Sequence, residues 1–326
     1  MNKYTLTFAA LMSVLTGFCV TKASEIDPFR LREELSRLED MNTTINAKSN
    51  SYIKQAISRA NKKGNCNESR LYKELRKYFR NHLVGKLAPY IIESDDIERI
   101  ETSTTQSIYR DFKWYEAVIP GLYAKLFIDP AGKILNLDGH LIGTDKFEHF
   151  MGTGYQYFKI YNQNTPEVAL EKILKKGWGL ETGLMGIVTT GVLSYADMVA
   201  NFNGMRFWNH MLQNNDDILG ENLGPYIICK DKHWVANIPL DWSRYVDPAW
   251  DEAINCSKFR TESMLSKVEA VVANYQRSTS IRLTCPISPL DLEQTVESKY
   301  RALAPWTHSY LFNSNGFGVV EKAPNQ

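Results

Sequence analysis

Charge of one sign is what this chain lacks most plainly. Its 38 basic and 37 acidic residues leave a net charge of +1 over 326 residues. That balance gives no electrostatic footprint for nucleic acid. No apolar run reaches the roughly 20 residues that a bilayer span requires, so no transmembrane span is expected after the N-terminal segment. There is no C-x-x-C pair and no H-E-x-x-H, and the six histidines include no close pair. A thioredoxin-like site and a zinc site are therefore not expected, and no metal or other cofactor is assigned. The G-x-S-x-G elbow, the P-loop and the G-x-G-x-x-G fingerprint are also missing, which removes three common catalytic scaffolds. Internal repeats and long linkers are absent too, which favours one domain.

Residues 1–23 read as a secretory signal. Lys3 is a short basic start, residues 5–20 are apolar, and Ala23 is a small residue before the polar Ser24. Cys19 follows Phe18, where a lipoprotein signal needs a small residue, so no lipid anchor is expected there. Beyond the signal stand four cysteines, Cys66, Cys229, Cys256 and Cys285. An even count in an oxidising compartment predicts two disulfides, with three connectivities open. The expected destination is the periplasm or the exterior.

Aromatic residues make up 12% of the chain, which argues for a folded core. Asp27-Pro28 predicts a helix start, and Leu31, Leu35, Leu38 and Met41 recur at helical spacing. Ile45, Ile53 and Ile57 predict a second helix, and Leu71, Leu75, Tyr78 and Phe79 a third. Residues 124–128 and 133–137 are β-prone around Asp129-Pro130-Ala131-Gly132, a turn signal for one small hairpin. The apolar run 183–193 predicts a buried helix, with the chain breaking at 191–194. Residues 213–257 read as loop-rich. Met264, Val268, Val271, Val272 and Tyr275 predict an amphipathic helix, and Ser288-Pro289 starts another. The predicted fold is thus mainly α: a single helical domain over 24–312 with one small β-hairpin, disulfide-stabilised, followed by a flexible tail at 313–326.

Two polar stripes interrupt the apolar centre. In Thr144-Asp145-Lys146-Phe147-Glu148-His149, Thr144 suits a helix N-cap and Asp145 falls four residues before His149, on one helical face. A carboxylate so placed can hold an imidazole in one tautomer or raise its basicity. Gly152 and Gly154 would let another backbone approach that helix closely. In Ser194-Tyr195-Ala196-Asp197-Met198-Val199-Ala200-Asn201, Asp197 and Asn201 are again four apart, with Gly204 three residues later. Buried polar groups need partners, so the two stripes are expected to partner each other. Glu181 lies 16 residues before Asp197, nearly opposite it on a straight helix. It can join the same site only across a break in the chain. The candidate catalytic set is Asp145, His149, Glu181, Asp197 and Asn201, with Glu148, Ser194 and Arg206 as secondary members.

The order Asp145-Lys146-x-x-His149-Phe150, then Glu181, then Ser194-x-x-Asp197-x-x-Ala200-Asn201-x-x-Gly204 resembles the VanZ-like proteins and related exported envelope proteins. The resemblance covers about 60 residues, roughly 143–204. It implies a link to the bacterial cell envelope but no settled reaction. VanZ-like proteins are multi-span membrane proteins, and that embedding is not carried over. The expected function is an envelope-associated hydrolase acting on a lipid or glycan, with His149 as base and Glu181 or Asp197 as acid. Asn201 would stabilise an oxyanion. The alternative is a non-enzymatic binding or accessory protein in which these residues form a structural polar seam.

Overall fold

A computed structural model describes residues 26–324 apart from 31, 63–64, 102, 104, 114, 117–131, 184, 280–282 and 322. The signal segment and the first half of the expected hairpin, 124–128, lie outside the described residues. The chain is mainly helical, with small sheets between the helices. Among the described residues, no helix is long and apolar enough to cross a membrane.

The first helix expected is the least well formed. The Asp27 carboxylate accepts from the backbone N–H groups of Phe29 and Arg30, but the helix that follows covers only α1, Arg32–Leu35. The helical spacing from Ile45 to Ile57 is realised in α2, Asn42–Asn61, which buries Ile45, Ile53 and Ile57. Next come α3, Glu68–Leu75, and α4, Leu87–Glu93. Asn67 caps α3 by accepting from the Arg70 backbone N–H.

The described half of the expected hairpin, 133–137, is a strand, and it forms a hairpin with the segment that follows it. Strand β2, Lys133–Leu137, pairs with β3, His140–Gly143, and on its other edge with β1, Ile100–Glu101. The two-residue loop is Asp138-Gly139, with φ of 54° and 79°. Both residues adopt the positive φ of a type I′ turn, which matches strand twist, and Asp-Gly is a strong sequence signal for it. Two further sheets replace the expectation of a single hairpin. One joins β4, Val192–Leu193, to β7, Lys258–Phe259, and then to β8, Gly318–Val319. The other is the hairpin of β5, Ile227–Lys230, and β6, His233–Ala236, inside the stretch that reads as loop.

A helix with a single π-type turn runs from 145 to 161. It comprises α5, Asp145–Glu148, the π turn His149–Thr153, and α6, Gly154–Tyr161. After α7, Pro166–Glu181, the apolar run 183–193 turns back on itself and does not form the predicted helix. Its Gly191 sits at φ 79°, a conformation that ends helices. The break begins at Thr182, the residue that caps α7 and earlier than expected, and lasts until α8, Tyr195–His210, starts under a Ser194 cap.

Every residue of α8 is buried, so the rest of the molecule is built around it. It crosses α6 where Gly154 meets Gly204. A Cβ on Gly154 would come within 2.6 Å of the Gly204 Cα, and one on Gly204 would strike the Phe150 carbonyl. Of the two glycines expected to allow close approach, Gly154 does so, while nothing lies within 4 Å of a Cβ built on Gly152.

The single helical domain expected from the lack of repeats is not what the packing shows. Buried apolar side chains fall into three clusters. The largest surrounds α8; a second joins Phe112, Val192, Phe259 and Met264; a third joins Ile26, Leu35, Leu38, Ile134 and Leu141. The second cluster rests on α9, Glu262–Thr279. Two more helices close the chain, α10, Pro289–Ser298, and α11, Pro305–Leu311, each with proline in its first turn. Residues 313–321, read as a loose tail, are tied down instead. The Asn313 amide donates to the carbonyls of Cys256 and Gly316, and β8 completes its sheet. Disulfides join Cys66 to Cys229 and Cys256 to Cys285.

Candidate functional site

The crossing at Gly154 and Gly204 brings the two polar stripes face to face. The His149 ring is the hub. Its Nδ1 donates to Asn201 Oδ1 at 3.2 Å. Its Nε2 lies 3.3 Å from Asp197 Oδ2, and Nδ1 lies 3.8 Å from Glu181 Oε1. Glu181 reaches this point because the chain breaks immediately after it, so the end of α7 and the start of α8 converge on one imidazole. Four of the five candidate catalytic residues, His149, Glu181, Asp197 and Asn201, thus meet.

Asp145 does not hold His149 as its i, i+4 spacing suggests. Its carboxylate pairs with the neighbouring Lys146 ammonium. The backbone between the two is α-helical, the His149 N–H donating to the Asp145 carbonyl; a π turn opens only at His149, and such turns recur at functional sites. Thr144 makes no side-chain cap hydrogen bond.

Lys146, which spacing arguments did not select, is the second centre. It is wholly buried, and its ammonium contacts Asp145 and Glu252 and lies 2.7 Å from Asp197 Oδ1. Asp197 therefore bridges the two centres, one oxygen toward lysine and the other toward histidine. Ser194 serves this cage. Its hydroxyl donates to Glu252 Oε1 at 3.0 Å and accepts from the Asp197 backbone N–H at 3.2 Å. Its hydroxyl hydrogen therefore goes to Glu252 and not to His149.

The other secondary candidates lie elsewhere. Glu148 points away, accepting from the backbone N–H of His82 and contacting that residue's ring. Arg206 belongs to a separate buried network, donating to both Asp217 oxygens, to Asn203 Oδ1 and to Glu221. In that network burial pushes His210 down to about 4.

Burial sets the electrostatics of the cage. It raises the Asp145 carboxyl, against the pull of Lys146 and with the push of Asp197. The same desolvation lifts Glu252 to about 7. Tyr157, on the helix that carries His149, is held well above the ordinary phenol range by burial, with the Glu181 charge adding to the rise. A Cβ on Gly177 would strike its hydroxyl, so the glycine leaves room for the phenol. Glu252 had no sequence signal, since it arrives on an irregular segment after the Pro248–Trp250 turn.

The raised Glu252 makes stability depend on pH in a defined direction. The folded state holds a proton up to about 7 that the unfolded chain releases near its ordinary 4.5. Stability is full below the unfolded value and is lost as pH rises through the folded one. On the order of 3 kcal/mol disappears across that window. Guanidinium unfolding at pH 5 and pH 8 will show a lower midpoint at pH 8, and Glu252→Gln will flatten the difference. Equal midpoints in the unmodified protein would count against the shift.

Two groups have donor atoms within 4.8 Å of one another, as a metal site would: His149, Glu181 and Asp197, and Asp145, Asp197 and Glu252. In the second, the Lys146 ammonium already stands among the carboxylates. The first combines one imidazole with two carboxylates, a donor set suited to a divalent transition metal. Neither a protein-family model, a curated protein nor a solved structure matches this chain.

Proposed function

We propose that this is an exported, envelope-associated protein, periplasmic or secreted, whose His149 centre hydrolyses an envelope lipid or glycan by acid–base chemistry. One observation carries the reading. The His149 side chain is 11% exposed, against 1% for Glu181 and 5% for Asp197, so the imidazole is the most exposed of the three titratable groups. Asn201 accepts from Nδ1, so a proton taken from an attacking water goes to Nε2, where the Asp197 carboxylate 3.3 Å away holds it. Asp197 and Glu181 stabilise the imidazolium that forms, and the proton then passes to the leaving group. The two disulfides and the lack of a membrane-spanning helix among the described residues are compatible with export. The residues that resemble the VanZ-like pattern are the ones that converge, which supports the envelope assignment.

The test is turnover of envelope lipid and glycan fractions by the mature, oxidised protein, followed by mass spectrometry. Wild type should convert one fraction, and His149→Ala, folded by circular dichroism, should lose at least about a hundredfold in rate, the usual contribution of a general base. Unchanged turnover in His149→Ala, or none by wild type in either fraction, overturns the hydrolase reading.

A second reading, a non-enzymatic accessory protein with a structural polar seam, is favoured by the Lys146 cage. A wholly buried ammonium among three carboxylates is also what an internal ionic lock would show. This reading requires that no fraction be turned over and that a ligand or partner co-purify.

A further inference from the structure

The chain is nearly neutral, yet its cations are not evenly spread. Lys73, Arg76, Lys77 and Arg80 follow i, i+3, i+4, i+7 spacing along α3 and the tight turns that extend it. That spacing puts them on one side. With Tyr155 and Val84 they line a cavity of about 430 Å³. Lys77 is neutralised locally, since its ammonium donates to both Glu74 carboxylate oxygens at 2.7 Å. Among the described residues, Lys73, Arg76 and Arg80 make no ion pair. The Arg76 guanidinium stacks 4.4 Å from the Tyr155 ring centre, and the Lys159 ammonium lies 5.8 Å from the same ring. Stacking on an aromatic face fixes the guanidinium plane while leaving its edge N–H donors open.

The groove has an apolar rim. Leu83 and Val84 are 52% and 53% exposed. They project from a compact turn in which the Gly85 N–H donates to the Asn81 carbonyl, and the Lys86 and Leu87 N–H groups donate to the Tyr78 carbonyl. A small soluble anion would need the cations alone. An adjacent pair of aliphatic side chains, held out by a closed turn and followed by exposed Lys86, gains nothing from such a ligand. It does gain from the boundary between headgroups and acyl chains.

We propose that this groove and its Leu83-Val84 rim dock on a lipid bilayer bearing anionic headgroups. Phosphate groups enter the groove against Lys73, Arg76 and Arg80, and the rim enters the acyl boundary. The proposal is independent of the hydrolase reading, though the two sites are physically joined. His82, between Arg80 and Leu83, contacts Glu148, the residue before His149, and Tyr155 lies on the same helix.

The experiment is co-sedimentation of the oxidised mature protein with phosphatidylcholine vesicles, with and without phosphatidylglycerol. Binding is expected only with the anionic lipid and should weaken steeply as salt is raised. Lys73→Glu with Arg80→Glu, both on exposed side chains, should abolish it. Leu83→Ser with Val84→Ser should weaken it roughly tenfold and leave the salt dependence in place. Equal binding to neutral and anionic vesicles, or none to either, overturns the proposal. So does a Leu83→Ser/Val84→Ser variant that binds as tightly as wild type while inorganic phosphate competes it off, for then the groove serves a soluble anion.

Discussion

Lys146→Met will cost about 3–5 kcal/mol of folding stability at neutral pH, the usual penalty for removing one partner of a buried ionic group. Methionine keeps most of the stem and its packing, so the loss reports the missing charge. Asp145, Asp197 and Glu252 all contact the ammonium, and each is left facing the others in a low-dielectric interior. The penalty should shrink at pH 5, where Glu252, lifted to about 7 by burial, already carries its proton. Guanidinium unfolding at the two pH values reads both effects. An unchanged midpoint at neutral pH would mean that water or rearrangement replaces the ammonium, and the cage would lose its structural meaning. The sign at neutral pH also separates Lys146 from His149, since a residue kept for chemistry commonly costs little stability when removed.

Losing the Cys66–Cys229 disulfide should be at least as damaging. The crosslink spans 163 residues, against 29 for Cys256–Cys285. Loop-closure entropy assigns about 5 kcal/mol to the first and about 3.5 kcal/mol to the second. Paired cysteine-to-serine variants, compared by denaturant midpoint, should therefore fall in that order. The reverse order would mean that local packing around Cys256, which is wholly buried, outweighs chain entropy.

How far the site could be read from sequence depended on how local the information was. Spacing alone brought His149, Asp197 and Asn201 into one stripe pair, and the opposition of Glu181 and Asp197 on a straight helix required a break. The break exists because 182–194 cannot continue α7, not because a helix ends at Gly191. The Asp145–His149 pairing failed for a different reason. The backbone between them is α-helical, with the His149 N–H donating to the Asp145 carbonyl, but the Asp145 carboxylate is held by the Lys146 ammonium instead of the imidazole. Lys146 escaped notice because lysine in an amphipathic reading is a surface residue, and its burial depends on two carboxylates from distant positions, Asp197 and Glu252, joining the adjacent Asp145. One of these, Glu252, comes from a segment with no periodicity to read. Similarly, the Asp138-Gly139 dipeptide carried the signal for the hairpin of β2 and β3.

The sheet that closes the second apolar cluster has a consequence for the order in which the molecule can be finished. Strand β7 lies between β4, from the middle of the chain, and β8, near position 318. A polypeptide made from its N-terminus presents Val192–Leu193 and Lys258–Phe259 long before Gly318–Val319. Until that last piece arrives, one edge of β7 offers open backbone donors and acceptors, and Asn313 cannot yet cover the Cys256 carbonyl. The Cys256–Cys285 pair can form in this interval, while its surroundings are incomplete. Whatever catalyses thiol oxidation thus has access to the second disulfide before residues 313–319 seal it.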